Sequence, residues 1–137
     1  MKKSIVILTS LLFLLLTACA SAIPAEPEEN SYTNISVETL KAMLDERPGS
    51  FLLVNTHIPF EGDIPNTDLS IPYNEILANL DQLPQDKDAE IVLYCWSDRM
   101  SHAASADLAG AGYTNVKNVL GGFNAWAAAG YPLNIAP

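Results

Sequence analysis

The chain has 137 residues, of which 49% are hydrophobic and 17% charged, enough for one domain around one core and ordinary for a globular protein. Its formal charge of −9 becomes −11 once Lys2 and Lys3 are set aside with the N-terminal segment. A surface of that sign repels nucleic acid and anionic lipid headgroups, which excludes DNA and RNA as partners.

The first residues read as an address rather than as part of the fold. Lys2 and Lys3 form a positive n-region, Ile5 to Leu16 an apolar h-region, and Leu16-Thr17-Ala18-Cys19 puts small residues just before a cysteine. This resembles the lipobox of bacterial lipoproteins. The resemblance implies a signal peptide over residues 1–18, removed in the mature chain, and a Cys19 that becomes its first residue and carries fatty acyl groups such as palmitate. The alternative is an uncleaved anchor from Ile5 to Ala22, just long enough to cross a bilayer. Either one tethers the domain to the cell membrane or outer membrane, outside the cytoplasm.

Residues 19–31 continue as a tether rich in Pro, Glu and Ser, without apolar period or bulk for a core. The folded domain is expected over residues 32–137. Tyr32 to Ile35 suits a short edge strand, and Ser36 an N-cap for a helix with Val37, Leu40, Met43 and Leu44 on one face, stopped at Arg47-Pro48-Gly49. Phe51 to Thr56 reads as a central strand ending at His57. Ile58 to Pro72 holds Pro59, Gly62, Pro65 and Pro72 with acidic Glu61, Asp63 and Asp68, and reads as a long ordered loop near the active face. Tyr73 to Leu80 suits a short helix, ended by the turn region Pro84 to Asp88.

Ile91 to Tyr94 is a short, apolar, β-rich run bounded by turn residues, as expected of a buried strand. Cys95 follows it, then a polar turn (Trp96, Ser97, Asp98, Arg99) and a small-residue helix from Met100 to Ala111, closed by Gly112. A sulfur at that junction faces unpaired backbone N–H groups and the positive end of a helix dipole, which favour a sulfur anion. With Cys19 committed to lipid, Cys95 has no partner for an intramolecular disulfide. The plainer alternative is a small buried hydrophobe that happens to be cysteine. Val116 to Leu120 gives a last strand, Gly121-Gly122 a turn, and Phe123 to Ala129 a final helix capped by Gly130. Strands alternating with helices predict an α/β domain with a central parallel sheet and helices on both faces, without internal repeats. In such sheets ligands bind at the carboxyl ends of the strands, where Cys95 falls.

The single Cys after its strand and the tail Val119-Leu120-Gly121-Gly122-Phe123-Asn124-Ala125-Trp126, followed by Ala129-Gly130-Tyr131-Pro132, resemble a single-domain rhodanese. The resemblance runs from about Ile35 to Leu133. It includes the first helix, Ser36 to Leu44, and the loop Glu61-Gly62-Asp63-Ile64-Pro65. The Gly-Gly-Phe-Asn-Ala-Trp run identifies the fold through packing rather than chemistry: the glycines permit a tight turn and Trp126 fills core volume. The resemblance implies sulfur transfer, with Cys95 taking sulfane sulfur from a donor such as thiosulfate as a persulfide and passing it to a nucleophile such as cyanide or a thiol. It also implies a cradle of backbone N–H groups over Trp96, Ser97, Asp98, Arg99 and Met100, with Arg99 as an anion clamp. Ser101 adds a hydroxyl available to an anion.

This sequence departs from the family pattern in three places. Family loops commonly carry Gly where Asp98 stands and Arg where Met100 stands, and His usually precedes the Ile-Pro pair where Asp63 stands. Asp98 lacks the backbone freedom of Gly, and its charge opposes both a sulfur anion and an anionic donor. It is expected to turn its carboxylate onto the helix N–H groups as an N-cap and to pair with Arg99. His57 and His102 are candidate bases or donors, with surface or structural roles as the alternative. Trp96 is a candidate apolar wall. No metal-ligand spacing and no cofactor motif is present. The expected partners are a small sulfur-containing anion or a thiol acceptor, with the membrane reached through the lipid and the domain monomeric. Two other readings stand beside sulfur transfer: a catalytically degenerate rhodanese-like binding module, and a phosphatase or arsenate reductase on a related fold. Only Trp96, Ser97 and Asp98 separate Cys95 from Arg99, too short and too acidic a loop for the latter.

Overall fold

A computed structural model describes residues 31–137. The expected signal peptide, the lipidation expected at Cys19 and the expected tether up to Asn30 lie outside the described residues. The elements run β1 (Thr33–Ile35), α1 (Val37–Glu46), β2 (Leu52–Asn55), β3 (Gly62–Asp63), β4 (Leu69–Ser70), a 3₁₀ segment (Tyr73–Gln82), β5 (Ile91–Tyr94), α2 (Arg99–Gly110), β6 (Val116–Val119), α3 (Gly122–Ala128) and β7 (Asn134–Ile135). Five of the strands form a parallel sheet in the order β1-β6-β5-β2-β4, with β5 at its centre.

β5 explains why its sequence is apolar at every position. Ile91 and Leu93 pack with Val54, Ile76, Ala104 and Leu108 on the face covered by α2 and the 3₁₀ segment. Val92 and Tyr94 pack with Leu40, Leu53, Phe123 and Trp126 on the face covered by α1 and α3. A strand buried on both sides has no polar face to show. Helices on both faces of a parallel sheet are the architecture that the alternation of strands and helices predicts.

Ser36 caps α1 as expected, its Oγ accepting the Thr39 N–H at 3.2 Å. Val37, Leu40, Met43 and Leu44 form the buried stripe of that helix. α2 buries a face of small residues, Ser101, Ala104, Ser105 and Ala109 with Leu108. Trp126 is buried in the core, its indole N–H donating to the Pro132 carbonyl at 2.8 Å.

Three segments differ from expectation, one of them the C-terminal β7, which pairs antiparallel with β3 (Gly62 opposite Ile135, Asp63 opposite Asn134). The stretch Ile58 to Pro72 is not only a loop, because β4 within it pairs with β2 (Val54 opposite Leu69, Asn55 opposite Ser70) and supplies the fifth strand. Asp68 fixes that pairing: its carboxylate accepts the Leu53 N–H at 2.8 Å, and its own N–H donates to the Leu53 carbonyl at 2.9 Å. Two residues between prolines carry no alternation from which a strand could be read. Tyr73 to Gln82 is 3₁₀ rather than α-helical and breaks at Asn79 (φ −117°, ψ 27°). Ile76 is its one buried residue, so no apolar stripe enforces a longer regular helix.

The sulfur loop as candidate functional site

Cys95 leaves the carboxyl end of the central strand and is 2% exposed, with a free thiol. Its Sγ lies 3.4 Å from the Ser101 hydroxyl, which is also 3.0 Å from the Asp98 carbonyl oxygen. A hydroxyl has one hydrogen to give. Donated to the Asp98 carbonyl, it leaves the Ser101 oxygen to accept the thiol S–H; turned the other way, it donates to a sulfur anion. The sequence marked Ser101 as a hydroxyl available to an anion, and the fold brings it onto the sulfur itself.

The backbone around the sulfur is held from α3. The Cys95 carbonyl accepts the Phe123 N–H at 2.9 Å and the Trp96 carbonyl accepts the Asn124 N–H at 3.0 Å. This close approach requires Gly122, whose φ is +50° and whose missing Cβ would stand 2.1 Å from the Cys95 carbonyl oxygen. The Cys95 and Trp96 carbonyls are therefore consumed, while the N–H groups from Trp96 to Ser101 donate to no acceptor among the described residues. Consecutive free N–H groups at the start of a helix can hold an anion.

Each expected site residue falls at or beside this loop. Trp96 stacks on Phe123 with centroids 4.7 Å apart and an interplanar angle of 19°. Ser97 is exposed. Asp98 occupies the N-cap position at a φ of 175°, extended backbone open to any residue, so no glycine is required there. Its carboxylate, however, makes no cap bond and no pair with Arg99, contrary to expectation. Asp98 Oδ1 lies instead 3.5 Å from Asn118 Nδ2 and 3.9 Å from His102 Nε2, drawn sideways toward β6 and α2 by an amide and an imidazole. Arg99 is exposed, and its side chain lines a cavity with Tyr73, Met100 and Ala103.

A lone cysteine at the end of the central strand, over a loop held by a glycine of the next helix, is matched by the Rhodanese-like domain family across residues 36–129. The chain belongs to the rhodanese-like family. A protein described as a sulfurtransferase from Allochromatium vinosum is 39% identical over 89 residues, 63% of this chain and 79% of that one. A thiosulfate sulfurtransferase, GlpE, from Actinobacillus succinogenes is 39% identical over 51 residues, 37% of this chain and 46% of the relative. Among solved structures, a thiosulfate sulfurtransferase from Pseudomonas aeruginosa superposes with a TM-score of 0.68 at 23% identity. That match covers 77% of this chain but only 21% of the other, and it speaks for the rhodanese fold alone.

Within this rhodanese-like domain the other candidates take structural partners. Asp63 does not face the sulfur as a bare charge: its Oδ1 accepts from Asn55 Nδ2 at 2.9 Å and from the Tyr94 hydroxyl at 3.1 Å. Burial pushes the Tyr94 phenol well up, so it stays a donor. His102 bonds the Tyr32 hydroxyl through Nδ1. His57 pairs with Glu61 at 2.7 Å through Nε2, and its ring centroid lies 5.5 Å from that of Trp96. Among the described residues no cluster of His, Cys, Asp and Glu could hold a metal ion. Sequence reasoning missed Asn118 and Tyr73; Asn118 is a buried amide between Lys117 and Val119 in β6, and that short strand carries no pattern that marks it.

Proposed function

We propose that this chain is a sulfurtransferase that carries sulfane sulfur as a Cys95 persulfide, tethered outside the cytoplasm through lipid on Cys19 and acting as a monomer. In the first half-reaction the Cys95 thiolate attacks the outer sulfur of thiosulfate. The new S–S bond forms on Sγ, the donor S–S bond breaks, and sulfite leaves with the bonding electron pair. A polysulfide donor loads Cys95 in the same way and leaves shortened by one sulfur. A nucleophilic acceptor then takes the outer sulfur and returns Cys95 as thiolate. The observation that carries this reading is the pairing of Sγ with the Ser101 hydroxyl under a run of N–H groups, Trp96 to Ser101, that have no protein acceptor. Those donors stabilise negative charge on the outer sulfur, where it develops.

The test is to incubate the purified chain carrying Cys19→Ser, which leaves Cys95 as its one thiol, with thiosulfate or polysulfide and to weigh it intact. A gain of one sulfur atom, removed by cyanide and absent in the further variant Cys95→Ser, is the expected result. A binding module without turnover is the second reading, favoured by the 2% exposure of Cys95 and by the carboxylate of Asp98 in the loop. It predicts no gain with any donor. For the tether, labelled palmitate should enter the wild-type chain in a bacterial host and not the Cys19→Ser chain.

A further inference from the structure

Asp98 stands at the N-cap of α2 without making a cap bond, and the side chains around its carboxylate account for that. Asn118, fully buried in β6, donates from its amide to Asn34 Oδ1 at 3.0 Å and to Asp98 Oδ1 at 3.5 Å. His102, half-buried on α2, faces the same carboxylate oxygen with Nε2 at 3.9 Å, too long for a hydrogen bond but close enough for an ion pair. Its ring is held from behind. Nδ1 bonds the Tyr32 hydroxyl, and the two rings meet edge to face with centroids 5.6 Å apart.

A carboxylate at an N-cap otherwise accepts from the N–H groups of the second or third helical residue. In α2 these are Met100 and Ser101, the last two of the open N–H groups of the cradle. Asp98 is therefore the chain's own competitor for the donors that the loop offers to an anion. It is also tied to the sulfur. Its carbonyl accepts the His102 N–H at 2.9 Å and lies 3.0 Å from the Ser101 hydroxyl, itself 3.4 Å from Cys95 Sγ.

We infer that Tyr32, His102 and Asn118 are positioning residues for sulfur loading: they hold the Asp98 carboxylate off the Met100 and Ser101 N–H groups and so keep the cradle open to the donor anion. The inference rests on Cys95 as the sulfur carrier. Protonated on both ring nitrogens, an imidazole draws the carboxylate as a cation; with one proton it offers only a dipole. The hold is therefore stronger below the range in which imidazoles titrate than above it. Tyr32, Asp98 and Asn118 are the polar groups facing the ring from the elements around it. Lys117 lies on the opposite side of β6 from Asn118 and pairs with Glu90. Glu75 and Asp81 of the 3₁₀ segment, like Arg99 and Asp107 of α2, make no pair with the ring.

The test uses the full Cys19→Ser chain in detergent, in which Cys95 is the one thiol, with Tyr32→Phe, His102→Gln, Asp98→Ala, and His102→Gln combined with Asp98→Ala. Hydrogen exchange followed by NMR reads the Met100 and Ser101 amides directly. Their exchange should slow about threefold or more in Tyr32→Phe and His102→Gln, where the carboxylate falls back onto them, and stay fast in both Asp98→Ala chains. Loading from thiosulfate at about pH 6 should slow about two- to fivefold in His102→Gln, and not at all when Asp98→Ala is also present. The ratio of loading rates without and with His102→Gln should shrink toward one by about pH 8; Cys95 and His57 are common to both chains and cancel. A merely structural His102 would slow loading equally in either background. Unchanged Met100 and Ser101 exchange in His102→Gln, an equal effect of His102→Gln with and without Asp98, or a ratio constant with pH overturns the inference. A chain that never loads sulfur overturns the Cys95 reading instead, and the exchange rates still decide where the carboxylate lies.

Discussion

Two loops leave the carboxyl ends of neighbouring strands, and they treat their polar groups in opposite ways. The loop after β2, Ile58 to Pro72, spends its polar groups on the protein. Asp63 accepts from Asn55 and Tyr94, Asp68 clasps Leu53, and the Tyr94 hydroxyl accepts the Ile64 N–H at 3.0 Å and meets Thr67 at 2.7 Å. The loop after β5, Cys95 to Arg99, spends the Cys95 and Trp96 carbonyls on Phe123 and Asn124, and leaves the N–H groups of Trp96, Ser97, Asp98 and Arg99 without an acceptor among the described residues. A loop whose carboxylates and hydroxyls turn inward onto the protein is scaffold; one whose consecutive N–H groups are left over can receive a ligand of the opposite polarity. The same strand serves both, since Tyr94 locks the first loop and Cys95 begins the second.

The largest way to break this contrast is Gly122→Ala. A Cβ at 2.1 Å from the Cys95 carbonyl, on a backbone at φ +50°, should cost about 2–4 kcal/mol and move the sulfur loop off α3. Denaturant unfolding measures the first effect, and sulfur loading followed by mass the second, which should fall in parallel. Tyr94→Phe should cost about 1–3 kcal/mol because the buried Ile64 N–H loses its acceptor, while sulfur loading at Cys95 stays near wild type. Loss of loading in that variant would mean that the two loops are not separable.

A smaller effect tests a pair remote from both loops. Glu90, held by the Arg47 guanidinium with help from Lys117, has its carboxyl lowered from 4.5 to about 2. Its folded-state value is depressed, so its stabilisation is full above pH 4.5 and is lost as pH falls toward about 2. Glu90→Gln should cost about 1 kcal/mol at neutral pH and flatten the melting temperature across that acid window. The smallest stability change belongs to Asp98→Asn. With no cap bond to lose, it should stay within about 0.5 kcal/mol of wild type. Removing the charge should nevertheless raise the rate of loading from thiosulfate about two- to fivefold, an advantage that shrinks with added salt. A slower Asp98→Asn would show that this carboxylate serves the loop.

Much of this domain was legible beforehand, and the limits of legibility have physical causes. Ile91 to Tyr94 announced a strand buried on both faces, Ser36 announced its cap, and Gly121-Gly122 announced a tight turn. In the sequence the glycine pair reads as packing alone. In the fold Gly122 also abuts the carbonyl of Cys95, a contact across 27 positions that no local pattern encodes. β3, β4 and β7 escape a sequence reading because a two-residue strand is stabilised wholly by its partner. The Asp98 N-cap was misjudged for a similar reason: propensity favours a cap bond, and Asn118 and His102, distant in sequence, drew the carboxylate elsewhere.

The sequence by itself determined the α/β alternation, the family and the place of the one thiol in the domain, because these depend on the period of apolar residues and on turn chemistry within a few positions. Only the tertiary structure decided which groups around that thiol are consumed and which are left open. Ser101 on the sulfur, α3 on the Cys95 and Trp96 carbonyls, and Tyr73 beside one cavity with Arg99 are all set by packing the two faces of the sheet. Hydrogen-bond satisfaction is a property of the whole fold and cannot be summed from local preferences.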